Sequence, residues 1–215
     1  MLRFYADHFT TVEVNATFYR LPSKETLKTW YRTVPDNFIF SVKASQYITH
    51  RKKLIDPKET IHNFFDRIQI LEGKLGPILF QLPPNWHKNK ERLADFITAL
   101  PADHRYVFEF RDPTWFSDDI AELFEQKNIA FCIYDLEGKQ SPFHLTADFV
   151  YVRLHGPGAK YQGSYSEDLL KIWKKRFTDW MDEKREIYCY FNNDYEGHAP
   201  QNAGLFLKLM EKWAY

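Results

Sequence analysis

The sequence is poor in the residues that staple a fold or hold metal clusters. It has two cysteines, Cys132 and Cys189, among 215 residues. That rules out a multi-bridge disulfide framework, and both fall inside expected strands, where buried reduced thiols suit a reducing cytosol. No HExxH or CxxC occurs, so spacing gives no support to a zinc site built from His50, His155 or His198 with Glu109, Asp135 or Asp194. No GxSxG elbow is present either, which removes the signature of a Ser-His-Asp hydrolase. An excess of one charge is missing too. Lys+Arg and Asp+Glu both total 29, for a formal net charge of zero. Nucleic acid gripped by bulk charge is therefore disfavoured, although a local basic cleft stays open. No apolar run approaches the ~18 residues of a membrane span, and the opening MLRFYADHF has no signal-peptide pattern. The expectation is a cytoplasmic chain with no membrane association.

What is present is a full core in one domain over residues 1–215. Hydrophobic residues make up 44% and charged residues 27%, and the aromatic share is high at 18%. Rings on that scale fill a core and its helical shell, or line a pocket that stacks sugars or bases.

Strand and helix signals alternate along the chain. Leu2, Tyr5, Ala6 and Phe9 have helical spacing. Strands are expected over Thr11–Phe18, Phe38–Ala44, Pro77–Leu82, Arg105–Phe110, Ile129–Asp135, from Phe149, and over Glu186–Asn192. Between them, Ser23 caps a helix over Lys24–Thr33. A long polar loop over Ser45–Asp56 carries His50. Asp56-Pro57 and Asp112-Pro113 each open a helix, and Lys90–Leu100 is helical. Ser164 with Glu167 reads as a capping box, with Ser166 as a rival cap. The last helix starts near Pro200. No Asn-Gly hairpin signal separates the strands. Such alternation implies parallel strands covered by helices. An open doubly wound sheet would concentrate polar residues at one switch point. Here nearly every strand ends in them, which favours a TIM-like (β/α) barrel with its strand ends at one mouth. The count is seven strands, where eight is usual.

That mouth would collect Glu13, Asn15, Lys43, Gln81, Glu109, Arg111, Asp135, Arg153, His155, Asn192, Asn193 and Asp194. Period-two alternation points Glu13, Lys43, Glu109, Asp135, Arg153 and His155 inward. Charges buried there must pair with each other, with water or with a ligand. A self-satisfied network is one outcome and a substrate pocket the other. The loops Gly156–Tyr165 and Asn193–Asn202 occupy the place where many barrels hold a phosphate on backbone N–H groups.

The stretches VEVNATFYRLPS, FIFSVKASQYITH, LGPILFQLPPNW, FEFRDPTW, VYVRLHG and YFNND followed by NA resemble the YecE-like family, of UPF0759 type and numbered 72 among domains of unknown function. The likeness runs in order through nearly the whole chain. It implies a TIM-like barrel with no established reaction. It marks Glu13, Asn15, Lys43, His50, Gln81, Glu109, Arg111, Arg153, His155, Asn192 and Asn193 as the family's motif positions. Family members usually open with a strand ending in a GTSGW-like motif, which is missing here. Its lack accounts for a count of seven, and it would leave open edges beside the Thr11–Phe18 and Glu186–Asn192 strands.

The functional expectation is an enzyme acting on a small polar, phosphorylated or sugar-like substrate, by acid/base chemistry of hydrolase or lyase type. Glu13, Glu109 and His155 are the catalytic candidates. Asn15, Lys43, His50, Gln81, Arg111, Asp135, Arg153, Gly156, Asn192 and Asn193 are the substrate-binding candidates. Neither a metal nor a cofactor is expected. The alternatives are a nucleic-acid-binding or nuclease-like barrel, with Tyr47, Trp86, Trp115 and Tyr161 stacking on bases, and a non-catalytic binding protein.

Overall fold

Strand and helix alternate through residues 1–211, which a computed structural model describes. These residues divide into a unit spanning Met1–Ile129 and a second that begins at Ala130. The first opens with helix α1 (Leu2–Ala6) and strand β1 (Thr11–Val14). β1 is shorter than the sequence suggests. At Asn15 the chain turns into a four-residue helix, α2 (Ala16–Tyr19). The Thr17 hydroxyl donates to the carbonyls of Val14 and Lys43, at 2.8 and 2.7 Å. A side chain so engaged is no longer part of a strand face, which corrects the expected strand to Phe18.

Helix α3 (Lys24–Thr33) begins where Ser23 accepts from the Thr26 N–H. Lys74 stands at its far end, 4% exposed. Its ammonium donates to the carbonyls of Tyr31 and Val34, both at 2.9 Å. A helix end leaves its last carbonyls without partners, and Lys74 supplies them from a distant segment. Strand β2 (Ile39–Lys43) follows. The expected loop after it contains a π-helical turn, Tyr47–Arg51. Helix α4 (Pro57–Ile68) does follow Asp56, but Asp56 takes a left-handed backbone (φ 53°) and makes no side-chain cap. Its carboxylate pairs with Lys52 at 3.0 Å instead.

Strand β3 (Leu75–Gln81), helix α5 (Lys90–Thr98), strand β4 (Tyr106–Glu109) and helix α6 (Asp118–Lys127) complete the unit. Asp112 accepts from the Thr114 N–H at 3.0 Å and hydroxyl at 2.6 Å. It thereby caps a short 3-10 turn, Pro113–Trp115, and the helix proper starts five residues later than Pro113. Strands β1 to β4 pair in chain order, all parallel. Under the helices lies an aromatic stack: Phe110 and Trp115 face each other at 4.8 Å, and Phe80 and Phe108 at 5.1 Å. Trp115 donates from its indole N–H to the Trp86 carbonyl at 2.6 Å. The high aromatic content is thus largely core. Trp86 and Trp115, 8% and 1% exposed, are not surfaces for stacking bases.

The second unit holds β5 (Ala130–Phe131), β6 (Ile133–Leu136), β7 (Lys139–Gln140), β8 (Phe149–Leu154), α7 (Glu167–Asp182), β9 (Glu186–Phe191) and α8 (His198–Glu211). The strand expected over Ile129–Asp135 is interrupted at Cys132. β6, β8 and β9 are parallel neighbours, and β7 pairs antiparallel with β6. The turn between β6 and β7 is Glu137-Gly138, with φ 57° and 72°. Two positive φ values are what a two-residue hairpin needs. Glu-Gly therefore does the work of the Asn-Gly pair the sequence lacks. Ser166, not Ser164, caps α7 by accepting from the Leu169 N–H. The helix packs Leu170, Trp173, Phe177 and Trp180 over Ile133, Val150, Val152 and Leu154. Both cysteines are free thiols, and burial pushes that of Cys189 up in pKa.

The architecture is α/β with parallel strands, as expected at that level. The strand pairing among the described residues is in open runs and forms no closed ring, so a seven-stranded barrel is not established by it. No helix among them is long and apolar enough to cross a membrane.

Candidate functional site

In the first unit, register decides which side chains meet. Glu13 pairs with Ser41, Lys43 with Leu79, Leu79 with Val107, and Gln81 with Glu109. Register partners in parallel strands share a face, as do residues two apart. Glu13, Ser41, Lys43, Gln81 and Glu109 therefore lie on one face. Val14, Phe40, Val42, Ile78, Phe80 and Phe108 lie on the other. Sequence period alone placed Glu13, Lys43 and Glu109 together, and the register agrees.

The face ends in polar side chains that are bonded in pairs. Glu109 is wholly buried and accepts from the Arg111 Nε at 2.5 Å. A lone carboxylate there would carry a desolvation penalty of several kcal/mol, roughly, and the guanidinium offsets it. Lys43, 9% exposed, donates to the Gln81 Oε1 at 2.6 Å. Its ammonium also sits 4.4 Å from the Phe18 ring centroid, a cation–π contact. Asn15 donates to the Glu13 Oε1 at 3.1 Å. His50, on the π-helical turn, meets Phe18 edge-on at 5.0 Å, and its Nδ1 lies 2.8 Å from the Thr49 hydroxyl. Burial, and then the charge of Lys43, lower the His50 pKa. A neutral imidazole, an ammonium, a carboxylate–guanidinium pair and a second carboxylate can move protons and hold an anion.

In the second unit Arg153 and His155 are 2% and 0% exposed. Arg153 is in register with Tyr134 and Tyr190. Asp135 is in register with Leu154, hence on the opposite face, with Ile133 and the residues under α7. This corrects the expectation that Asp135 shares the inward face of Arg153. Ile133 belongs to the helix-covered core, and a residue two further on must follow it. Burial raises the Asp135 pKa against the opposing pull of Gln140, the Gly138 N–H and Arg176.

The loop after His155 is tightly determined. Gly156 has φ +115°, and a Cβ there would stand 2.2 Å from the Gln162 carbonyl oxygen. The Gly156 N–H donates to the Tyr165 hydroxyl at 3.0 Å, and the Tyr161 N–H to the His155 carbonyl at 2.7 Å. The Tyr161 ring stands edge-on to His155 at 5.3 Å. Asn193 donates to the Gly163 carbonyl and to the Asn202 Oδ1, both at 2.8 Å. Asn202 also accepts from the Tyr165 N–H at 3.0 Å and donates to its carbonyl at 3.2 Å. The N–H groups of Gly156, Tyr161, Gln162 and Tyr165 thus have acceptors within the chain. They are not the open phosphate cradle that the glycines suggested. Asn192 is buried, and its N–H extends the β8–β9 pairing to the Leu154 carbonyl at 2.7 Å. Asn202 was not among the sequence candidates; its only signal was the NA pair after YFNND. Among the described residues no group of three or more His, Cys, Asp or Glu is disposed to hold a metal ion.

These features define an α/β protein whose parallel strands end in ionisable and amide side chains. The chain belongs to the DUF72 family, described as proteins of unknown function, whose profile matches residues 1–214. It is similar to the UPF0759 protein YunF of Bacillus subtilis, 26% identical over 98% of this chain and 86% of the relative. UPF0759 protein YecE of Escherichia coli is 32% identical over 53% of this chain and 42% of its own. Among solved structures, a DUF72 family protein from Thermotoga maritima superposes with a TM-score of 0.82 at 29% identity, over 94% of this chain and 85% of that one. A DUF72 family protein from Enterococcus faecalis gives 0.85 at 23% identity, over 98% and 93%.

Proposed function

We propose that the chain is an acid/base enzyme for a small polar, anionic substrate, phosphorylated or sugar-like, bound at the C-terminal ends of its parallel strands. One observation carries this reading: Glu13, Lys43, Gln81 and Glu109 share one face and end in a cluster of both charge signs. Glu13 and Glu109 act as acid and base. Lys43 and Arg111 hold anionic groups at the strand ends of the first unit, and Arg153 does so at those of the second. His155 serves in proton transfer or in binding. The same reading takes the parallel strands as members of a TIM-like (β/α) barrel, supported by the strand–helix alternation.

The test is calorimetric and NMR titration with inorganic phosphate, then with phosphorylated and unphosphorylated sugars. Saturable binding of the phosphorylated compounds, weakened about tenfold or more in Lys43→Met, is the expected result. Turnover that survives intact in Glu109→Gln removes Glu109 from the scheme. A second reading has its own support. Lys43 with Gln81, Glu109 with Arg111, and Asn15 with Glu13 answer one another, as in a non-catalytic protein whose strand ends are closed by a polar network. Absence of binding across the panel favours that reading.

A further inference from the structure

Resting on the reading above, we infer that His50 is a further proton-accepting group of the first unit's strand-end cluster, acting beside Glu13 and Glu109, with Lys43 holding the anion its action creates. Four observations converge. His50 sits on the π-helical turn Tyr47–Arg51. π-helical turns are rare and frequent at functional sites, and this one stands by itself in the connection between β2 and α4. The Phe18 ring takes the Lys43 ammonium over its face at 4.4 Å and the His50 imidazole at 5.0 Å with an interplanar angle of 83°. One aromatic side chain therefore spaces the two groups and fixes both.

Thr49, wholly buried, sits 2.8 Å from the His50 Nδ1. Its hydroxyl has a second partner in the Ser45 carbonyl, at 3.4 Å. With its hydrogen directed there, Thr49 accepts from an Nδ1–H, and Nε2 carries the lone pair. Lastly, burial and Lys43 keep the ring neutral. A neutral ring with Nε2 bare is a base.

The step balances simply. A substrate O–H or activated C–H bond breaks, its proton forms an Nε2–H bond, and the electron pair stays on the substrate as an anion beside the Lys43 ammonium. His50 becomes imidazolium and later returns the proton to product or water. Thr49 is a positioning residue, because it acts through the ring it orients.

Imidazole NMR of the full chain tests this, alone and with inorganic phosphate as the anion probe. The expected spectrum has His50 as the Nδ1–H tautomer at neutral pH, with a titration midpoint below 6.5. Phosphate should raise that midpoint in the wild type and leave it unmoved in Lys43→Met. Thr49→Val should mix the tautomers. An Nε2–H tautomer in the wild type overturns the assignment whatever the variants do. Phosphate that binds at Lys43 but leaves His50 unmoved also overturns it, while the proposed function stands. Absence of any anion binding removes both.

Discussion

Replacing Asn202 by alanine tests whether an amide clamp holds the loop after β8. The Asn202 side chain, 3% exposed, serves the Tyr165 N–H, the Tyr165 carbonyl and the Asn193 amide. Alanine leaves three buried polar groups short of a partner. At about 1 kcal/mol net for each, the loss is about 3 kcal/mol, equivalent to a fall of roughly 6–12 °C in Tm for a chain of this size. Urea unfolding followed by fluorescence measures it. Trypsin cleavage after Lys160, inside the same loop, separates local loosening from global loss, and both should increase. Asn202→Asp keeps an acceptor for Tyr165 and Asn193 but loses the donor, so it should fall between. A stability change under about 0.5 kcal/mol, with cleavage at Lys160 unaltered, would refute the clamp.

Lys74→Met leaves the Tyr31 and Val34 carbonyls at the end of α3 without their buried ammonium; a loss of about 2–4 kcal/mol is expected in the same unfolding assay. Gly156→Ala should cost at least about 2 kcal/mol, since its Cβ meets a backbone oxygen at 2.2 Å, whereas Gly163→Ala, whose nearest neighbour would stand at 3.6 Å, should cost less. Asp135 has a folded-state pKa raised above 3.8 by burial, so its contribution is full below the unfolded value and is lost as pH rises through the folded one. Asp135→Asn should therefore be more stable than wild type at pH 7, an advantage that denaturant midpoints should show shrinking to nothing as the pH falls below about 3.8.

Much of the fold was legible because local chemistry and tertiary structure agree. Ser23 capped the helix where expected, and the apolar runs of β2, β3, β4, β8 and β9 fell within a residue or two of their expected places. Other features were set by competition that the sequence does not rank. Thr17 is a good strand former, but its hydroxyl has two carbonyls to satisfy, and the strand stops at Val14. The capping box assigned the cap to Ser164, with Ser166 as its rival, but the Ser164 hydroxyl bonds to Asn202 and Ser166 caps the helix. The hairpin at Glu137-Gly138 was hidden because glutamate is an uncommon residue at positive φ. In the site, periodicity grouped Glu13, Lys43 and Glu109 but misplaced Asp135, whose face follows Ile133. The bond from Asn193, just after β9, to Asn202, inside α8, links a strand end to a helix, and no spacing rule announces it.

The two faces of β1 to β4 have separable fates. On one face Phe40 meets Trp30 of α3 and Phe80 meets Phe96 of α5, while the charges stand on the alternate residues. A substitution at Glu13, Lys43 or Gln81 changes the polar face without altering the apolar one. Under the proposed function, chemistry can drift in such a chain while the fold persists, so a shared architecture at a quarter identity does not by itself imply a shared substrate. An insertion of one residue within a strand would exchange the faces unless a bulge absorbed it, as the register shift between Phe40 and Val42 does where β2 meets β3.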